Sequence, residues 1–365
     1  MIRILHVVTY MGRGGLETML MNYYRHIDRT EFQFDFLTHR DFRADYDDEI
    51  ESLGGKIFHL PRLVPWSKNY INALDRIFSE HPEYKIVHVH QDCLSSVILK
   101  SAKKHGVPVR IAHSHNSSQD RNLKYPIKLF YRSRIPRYAT DLFACGKQAG
   151  DWMFRGASYT VVNNAIDAKS YCFSPEKADA VRNELGISAT ALVVGHVGRF
   201  SPAKNHAFLL DVFRRINQKH SDSVLLLVGD GELRAEAEER ARQLRIEKNV
   251  IFTGVRSDVS DLMAAMNVFV FPSLYEGFPV TLLEAQASGL PCIVSDRISG
   301  ECSVTPLVKP ESLSSSPDKW ADKVLEAAKI ERCCRSEEIS AAGFDISENV
   351  LQLQEFYFSK LKERV

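Results

Sequence analysis

The sequence predicts an α/β protein with two doubly wound parallel-sheet domains that face each other across an interdomain cleft. Short apolar runs alternate with helical patterns from residue 2 to residue 162, and after an irregular stretch the alternation restarts near residue 191. Continuous apolar strands separated by helices are typical of a parallel sheet covered on both faces. With 365 residues, 44% of them hydrophobic, the chain can form two such cores. We therefore expect two Rossmann-like domains.

The elements of the first domain follow from this alternation. A strand is predicted at 2–9, a glycine turn at 12–15 and a helix at 16–27. Further strands of this domain are predicted at 32–38, 56–60, 86–90, 109–113, 143–145 and 160–162.

The second domain repeats the pattern without repeating the sequence. Its strands are predicted at 191–197, 223–228, 250–253, 268–271 and 292–294, and its helices at 205–219, 233–244, 259–265 and 280–287. Residues 312–317 are expected to form a polar loop, and an amphipathic helix begins near residue 348. The predicted boundaries are 1–165, a hinge at 166–189, 190–345, and a final helix at 346–365. Ligands of open α/β sheets bind outside the carboxyl ends of the strands, so the cleft is the expected site.

The charge of the chain is balanced overall but divided between its halves. The net charge is +1, which argues against binding of nucleic acid by the whole surface. Residues 1–165 carry a net charge of +6 and the remainder a net charge of −5. This asymmetry indicates that the first domain meets an anionic surface or substrate.

The cysteine pattern and the N-terminus favour a cytoplasmic protein. The seven cysteines are scattered and form no C-x-x-C pair, so we expect reduced thiols. The opening residues are predicted to form a strand and not a signal peptide. No stretch approaches the length of a membrane span.

The first motif is the glycine-rich turn after the first strand. Gly12, Gly14 and Gly15 let backbone amides approach a ligand, and a helix N-terminus favours phosphate. The spacing is not G-x-G-x-x-G, and Asp35 lies inside its strand and not at its end. From these residues alone, a tight turn and a phosphate site are equally good interpretations.

The second motif is the segment GRFSPAKN, which follows the first strand of the second domain. Arg199 offers a planar fork of donors and Lys204 a mobile charge, both suited to a diphosphate at a strand end. A solvated loop with two surface cations is the alternative.

The third motif, PSLYEGFPVTLLEA, carries the strongest signal. Its strand ends before the loop, and Pro279 fits the first helical turn. Glu276 therefore lies in the loop and Glu284 on the helix, with the amides from Gly277 to Val280 between them. Such amides can hold an anion, and the flanking carboxylates can accept hydrogen bonds from sugar hydroxyls. Taken singly, each glutamate could also be an ordinary surface or helix-face acid.

Histidines end two strands of the first domain. Strand alternation places His113 and His115 on one face, where a neutral imidazole can hydrogen-bond a substrate hydroxyl. His113 could equally be a core histidine, and His88 and His90 are interpreted as structural. Two histidines without a nearby cysteine or carboxylate make a poor zinc set, so no metal site is predicted.

The segment 121–137 is basic and contains no acidic residue. Its cations are Arg121, Lys124, Lys128, Arg132, Arg134 and Arg137. They interleave with apolar side chains, so the segment could lie at an anionic membrane surface, flank a phosphate-bearing acceptor, or form a solvated helix face.

Together these motifs resemble the retaining nucleotide-sugar glycosyltransferases of family 4, which have the GT-B fold. PSLYEGFPVTLLEAQASGLPCIVSD resembles the family's E-x7-E signature, and GRFSPAKNH its phosphate-binding segment. VLLLVGDGEL, the early glycine loop, HSHN and VNNAID fit the same pattern, so the resemblance covers nearly the whole chain. The most similar subgroup builds bacterial exopolysaccharide or capsule.

The resemblance implies that the second domain binds the donor and the first domain the acceptor. Arg199 and Lys204 would bind the donor diphosphate and stabilise the leaving group. Glu284 would bind the nucleotide ribose, and Glu276 the transferred sugar together with Gly277, Phe278, Pro279 and Val280. 

In the first domain, the resemblance implies that Gly14 and Gly15 contact the donor and that His115, or else His113, lies at the reacting sugar. It implies no metal and no cofactor, and a final helix that packs on the first domain. The donor would be a nucleoside diphosphate sugar, with uridine as the expected base, and the acceptor a glycan or a lipid-linked glycan. The basic segment could place the enzyme at the inner face of the membrane.

Three other functions stay open from the sequence. A hydrolase could use Glu276 and Glu284 as acid and nucleophile, but it would not need the phosphate-seeking cations. An NAD-dependent oxidoreductase is weakened by the missing glycine fingerprint. A sugar-binding or nucleotide-binding protein without catalysis is the third.

Overall fold

A computed structural model describes residues 1–116 and 123–364 as two compact units. One unit contains Met1–Ala165 together with the C-terminal helix, and the other contains Ile166–Asp345. Each unit has its own parallel sheet with helices packed against it. The prediction of two doubly wound α/β domains is therefore confirmed.

The first unit is built on a seven-stranded sheet. Its strands are β1 Ile2–Val7, β2 Phe32–Thr38, β3 Ile57–His59, β4 Ile86–Val89, β5 Val109–Ser114, β6 Asp141–Ala144 and β7 Thr160–Val161. Its helices are α1 Gly15–His26, α2 Asp47–Ser52, α3 Lys68–Glu80, α4 Ser95–Lys104, α5 Tyr125–Arg132, α6 Ile135–Tyr138 and α7 Lys147–Phe154. The strand order is β3-β2-β1-β4-β5-β6-β7, so the direction of winding reverses between β1 and β4.

Strand β2 shows why this sheet is covered on both faces. Its alternate residues Phe32, Phe34 and Phe36 are buried in the main apolar core of the unit. On the other face, Asp35 is fully buried and accepts a hydrogen bond of 2.6 Å from Arg3 Nε and one of 2.8 Å from the Tyr84 hydroxyl. Asp35 is therefore a structural residue and not a ligand for a nucleotide ribose.

The C-terminal helix, Ile346–Arg364, packs into the core of the first unit. Ile346, Val350, Leu353 and Tyr357 lie in the same apolar cluster as β1 and β2. Of the helices in the described ranges, not one combines the length and the apolar character that crossing a bilayer requires.

The second unit is built on a six-stranded parallel sheet. Its strands are β8 Leu192–Val197, β9 Ser223–Val228, β10 Val250–Gly254, β11 Val268–Phe271, β12 Cys292–Ser295 and β13 Val308–Glu311. Its helices are α8 Pro175–Glu184, α9 His206–Lys219, α10 Arg234–Gln243, α11 Val259–Ala265, α12 Val280–Ala287, α13 Pro317–Ala327 and α14 Ser336–Ala341. The order β10-β9-β8-β11-β12-β13 reverses between β8 and β11.

Parts of the second unit differ from the expectation. The segment 166–189, expected as a hinge, contains α8, and Val181 and Ile187 pack in the core of this unit. Strand β13 was not expected because it contains Pro310, which an edge strand tolerates since only one side of it is paired. Helix α13 follows the polar loop and is fixed by the fully buried Trp320.

The expectation of seven reduced thiols is wrong for one pair of cysteines. Cys172 and Cys334 form a disulfide within the second unit. They are 162 residues apart in the sequence, so no local spacing could have indicated the pair. Cys93, Cys145, Cys292 and Cys302 are buried, and Cys333 is exposed.

Candidate active site

The carboxyl edge of β8 and β11 brings two of the predicted motifs together. These strands are neighbours at the point where the strand order of the second unit reverses, which is where open α/β sheets bind ligands. The loop after β8 carries Arg199 and Lys204, and the loop after β11 carries Glu276.

Hydrogen bonds to backbone carbonyls join the two loops. The Leu274 amide donates to the Ala203 carbonyl at 2.7 Å, and the Asn205 side-chain amide donates to the Pro272 carbonyl at 3.2 Å. Asn205 has a φ of 57°, a left-handed conformation that Asn accepts more readily than most residues. The two loops therefore form one connected surface.

Lys204 and Glu276 form the charged centre of this surface. Lys204 Nζ donates to Glu276 Oε1 at 2.8 Å and lies 4.6 Å from the centre of the Phe271 ring. Their side chains are only 16% and 13% exposed. A Cβ on Gly198 would lie 3.1 Å from Lys204 Cε. Because Gly198 has no side chain, the lysine side chain has room to cross the end of β8. When a ligand binds, Lys204 can pair with an anionic group of the ligand, and Glu276 can accept a hydrogen bond from a hydroxyl of the ligand.

Arg199 lies at the exposed rim of the same loop. Its side chain is 63% exposed and its Nη2 lies 3.1 Å from Glu232 Oε2. An exposed ion pair of this kind adds little stability. The guanidinium can therefore leave Glu232 for a phosphate at little cost.

Glu284 is a buried acid on α12. Its side chain is 4% exposed, and burial raises its pKa to about 7 although the Tyr171 hydroxyl donates a hydrogen bond to it. A carboxylate that is poorly solvated gains more from a ligand hydroxyl than an exposed one does.

The start of α12 supplies the amides between the two glutamates. Gly277 and Phe278 precede the helix, Pro279 caps it and Val280 is its first residue. The first N–H groups of a helix have no acceptor within the helix, so they are available to an anion. Phe278 packs on Phe344 with the ring centres 5.4 Å apart, which fixes the loop.

Several polar atoms around Lys204 were not expected from the sequence. Among the described residues, the Ser273 hydroxyl, His196 Nε2 and both ring nitrogens of His206 are buried and have no hydrogen-bond partner. The His206 ring stacks on Phe200 at 4.0 Å. The only signal for them was their position in or next to the two motifs.

In the first unit, Gly14 and Gly15 differ in what surrounds them. A Cβ on Gly14 would collide with the Glu17 carboxylate, whereas a Cβ on Gly15 would meet no atom within 4 Å. Burial raises the pKa of Glu17 to about 7. Gly14 has an extended backbone with φ −104°, so a side chain there would require the Glu17 carboxylate to move, and Gly15 leaves open space at the start of α1.

A cluster of five histidines lies at the centre of the first sheet. His113 and His115 share a face, as predicted, with their ring centres 4.1 Å apart. His6, His88 and His90 complete the cluster. It arises because β1, β4 and β5 are neighbours and His6 pairs in register with His88. His6 was not predicted as a site residue, although H-x-H at the ends of two adjacent strands could have suggested the cluster.

Two hydrogen-bonded chains run through this cluster. One joins the Tyr357 hydroxyl to His88 Nδ1 at 2.9 Å, and His88 Nε2 to His113 Nδ1 at 3.1 Å. The other joins His6 to His90 and His90 to His115. Burial lowers the pKa of His115 to about 3, so its imidazole is neutral at physiological pH.

Two sets of three histidines have the spacing of metal ligands. In each set, His6–His88–His90 and His90–His113–His115, one ring nitrogen per residue lies within 4.8 Å of the others. These sets contain no carboxylate to balance a buried dication, and hydrogen bonds to His6 and His115 already use both ring nitrogens of His90, which belongs to both sets. The residues therefore fit a hydrogen-bonded cluster better than a metal site.

The basic segment is only partly a surface feature. Arg121 lies outside the described residues. Arg132 is buried and donates to the Trp152 carbonyl at 3.1 Å. It is a structural residue of the unit, so the expectation of a uniformly solvated basic face is wrong at this position.

Comparisons with known proteins agree with the two units. Residues 13–170 match the family described as Glycosyltransferase Family 4, and residues 177–334 match the family described as Glycosyl transferases group 1. The chain is 39% identical to a putative glycosyltransferase, EpsF, of Bacillus subtilis over 97% of this chain and 96% of EpsF.

Two further proteins extend this comparison. A galactosyltransferase of Escherichia coli, named for UDP-Gal and α-D-GlcNAc-diphosphoundecaprenol, is 28% identical over 75% of each chain. The crystal structure of Anabaena HepE in complex with UDP and glucose superposes with a TM-score of 0.80 at 20% identity, over 98% of this chain and 100% of that one. The fold is therefore GT-B, and the chain belongs to the group 1, family 4 glycosyltransferases.

Proposed function

We propose that this glycosyltransferase moves a sugar from a uridine diphosphate sugar to a hydroxyl of a glycan or lipid-linked acceptor, in exopolysaccharide or capsule synthesis. The observation that carries the proposal is the Lys204–Glu276 pair at the switch point of the second sheet, followed along the chain by the buried Glu284 on α12. The Escherichia coli relative is named for a UDP-sugar and a lipid-linked acceptor, and HepE binds UDP and glucose. These names support the proposed classes of donor and acceptor.

Arg199 and Lys204 bind the donor diphosphate. Lys204 offers a shielded ammonium, and Arg199 an exposed fork of N–H groups on the same loop. As the bond to the sugar breaks, negative charge grows on the leaving diphosphate, and preorganised cations stabilise that charge. With two cations in place, we propose that the reaction needs no divalent metal and no cofactor.

Glu276, Glu284 and the start of α12 bind the hydroxyl-bearing parts of the donor. Once Lys204 turns to phosphate, Glu276 accepts hydrogen bonds from the transferred sugar, aided by the amides around Gly277 and Phe278. Glu284 accepts from the ribose hydroxyls, because a carboxylate offers two acceptor oxygens to a diol.

We propose that His115 hydrogen-bonds the reacting sugar, and Gly15 leaves room at the start of α1 for a ligand. Because the imidazole is neutral, His115 hydrogen-bonds the sugar and is not the acid that protonates the leaving group. We propose attack on the face from which the diphosphate departs, which retains the anomeric configuration. The acceptor oxygen bonds to the anomeric carbon, the diphosphate oxygen leaves, and the acceptor proton passes to that oxygen.

The surface around α5 contacts an anionic membrane that carries the acceptor. Ile127 and Phe130 are exposed and lie three residues apart on one side of the helix, and Leu123 is almost fully exposed just before it. Arg134 lies 3.7 Å over the Phe130 ring. Basic residues beside exposed apolar side chains are the features that bind an anionic lipid surface.

Incubation with radiolabelled nucleotide sugars tests the function. Transferases release free sugar slowly when no acceptor is present, so we expect slow hydrolysis of one UDP-sugar, unchanged by EDTA. Binding without any turnover would favour a non-catalytic sugar-binding protein. Hydrolysis of glycosides that lack a nucleotide would favour a hydrolase, and reduction of NAD would favour an oxidoreductase.

A further inference from the structure

Three histidines of the first unit form an unbranched hydrogen-bonded chain. His6 Nδ1 lies 3.1 Å from His90 Nε2, and His90 Nδ1 lies 2.8 Å from His115 Nε2. His6 is in β1, and His90 and His115 directly follow β4 and β5. The chain thus runs from the middle of the sheet to its carboxyl edge.

The positions of the protons in this chain are linked. Burial lowers the pKa of His6 and of His115 to about 3 and that of His90 well below its usual value, so all three rings are neutral. A neutral imidazole has one N–H donor and one bare acceptor nitrogen. Both hydrogen bonds can then form in only two ways, with every proton on Nδ1 or with every proton on Nε2.

The two ends of the chain decide between these arrangements. Among the described residues, His6 Nε2 and His115 Nδ1 have no hydrogen-bond partner. Protons on Nε2 would place an unpaired N–H on His6, which is 1% exposed and packs 4.2 Å from the Phe34 ring centre. Protons on Nδ1 place it on His115 Nδ1, which is also buried in the ligand-free protein but belongs to the most exposed histidine of the cluster, at 9%. A buried N–H without an acceptor is costly, and of these two ends only His115 lies at the carboxyl edge of the sheet, where a ligand oxygen can supply the acceptor, so the second arrangement is favoured.

We propose that His6 and His90 are positioning residues that hold His115 in the tautomer with its proton on Nδ1. His115 then presents an N–H donor at the edge of the sheet. The role of that donor rests on the proposed function: it would donate to an oxygen of the reacting sugar or the acceptor. The tautomer itself does not depend on that function.

Nitrogen NMR of the full chain labelled with ¹⁵N-histidine tests the tautomer directly. Long-range ¹H–¹⁵N correlation distinguishes a protonated from a bare ring nitrogen, and His115→Asn identifies the His115 signals among those of the thirteen histidines. We expect a protonated Nδ1 and a bare Nε2 at His115. The reverse assignment would overturn the proposal.

Variants of His6 test the link between the rings. His6→Phe keeps an aromatic ring but removes the donor to His90, so the His115 signals should move to a mixture of both tautomers. His6→Asn should restore the original signals, because its amide N–H occupies roughly the place of imidazole Nδ1. His88→Phe is the matched control, since His88 is similarly buried in the same cluster but, within residues 1–116 and 123–364, its ring bonds to Tyr357 and His113 and not to His6, His90 or His115. Unchanged signals in His6→Phe, or an equal change in His88→Phe, would refute the link.

Donor turnover by the same variants separates this proposal from the proposed function. We expect kcat of His6→Phe to fall about tenfold, with KM for the donor unchanged and with recovery in His6→Asn. If His6→Phe changes the tautomer of His115 as expected but leaves kcat unchanged, the hydrogen-bonded histidine chain is supported and the catalytic role of His115 is refuted. If the purified protein carried a stoichiometric metal ion that was lost in His90→Phe, the hydrogen-bonded histidine chain would be refuted, because the ion would replace the His90–His115 hydrogen bond.

Discussion

Lys204 Nζ and Glu276 Oε1 lie 2.8 Å apart, although one group suits a phosphate and the other a sugar. The pair compensates both charges in a place that water reaches poorly. Removing either partner would leave the other poorly compensated, which costs more than the pair itself contributes. The same contact therefore stabilises the loops and holds in position the two groups that we propose bind the donor.

Lys204→Ala should raise the activation free energy of turnover by roughly 3–4 kcal/mol at most, the range for one lost electrostatic donor in an active site. The reason is that negative charge on the leaving diphosphate loses a shielded cation. Steady-state donor hydrolysis measures this loss. Lys219→Ala is the control, because Lys219 is a more exposed lysine of the same unit that pairs with Asp322. Full activity in Lys204→Ala would remove Lys204 from the mechanism.

Glu284→Gln should weaken donor binding by about 1.5–3 kcal/mol at pH 8, as expected for hydrogen bonds to a charged group. Glutamine keeps the shape of the side chain but loses one acceptor and the charge. Calorimetric titration with the nucleotide measures the affinity, and the exposed Glu326 supplies the control Glu326→Gln. Unchanged affinity in Glu284→Gln would contradict the ribose role.

The same substitution should stabilise the free protein at high pH. Burial raises the pKa of Glu284 from 4.5 to about 7, so the folded state binds more protons than the unfolded state between these values. Stability therefore falls as pH rises from about 4.5 to 7, by an amount on the order of 3 kcal/mol. Relative to Glu284→Gln, the wild type should show no deficit at pH 4 and its full deficit at pH 8. Denaturant unfolding at both pH values checks this, and a pH-independent difference would contradict it.

Helices and strands that depend on local sequence pattern were predicted well, whereas contacts between distant segments were predicted poorly. The bounds of β2, β9, β11, α11 and α12 agree with the prediction, since each is a distinct apolar segment bounded by turn or polar residues. Strand β13 was missed because Pro310 argues against a strand unless its edge position is known. The histidine cluster was missed because it depends on the register of β1, β4 and β5, which no single segment reveals.

In the candidate site, too, local features were predicted and long-range contacts were not. The motif spacing placed Glu276 in a loop and Glu284 on a helix, as observed. It did not predict the ion pair between Lys204 and Glu276, which are 72 residues apart and meet because β8 and β11 are neighbours. Nor could it predict that Arg132 is buried, because a cation in a basic run gives no sign of the Trp152 carbonyl that it reaches.

Gly15→Ala should leave folding unchanged but lower donor turnover. A Cβ at this position meets nothing within 4 Å in the protein, so a loss of activity would show that a ligand occupies the space. Thermal unfolding and donor hydrolysis, measured on the same preparation, separate the two effects. Gly14→Ala provides the contrast, since its Cβ would collide with Glu17 and should lower the melting temperature. If Gly15→Ala is fully active, no ligand approaches the start of α1.

The double substitution Ile127→Ser and Phe130→Ser should abolish binding to vesicles of phosphatidylglycerol and phosphatidylcholine while donor hydrolysis in solution stays unchanged. Both side chains are exposed on one side of α5, so their removal costs little stability but takes away the apolar part of the surface. Vesicle flotation measures binding, and added salt should weaken the wild type because its cations contribute through screened electrostatics. Leu351→Ser controls for the loss of an exposed apolar residue, because Leu351 is 62% exposed on the C-terminal helix. Equal flotation of the double variant and the wild type would show that the acceptor reaches the enzyme without contact between α5 and lipid.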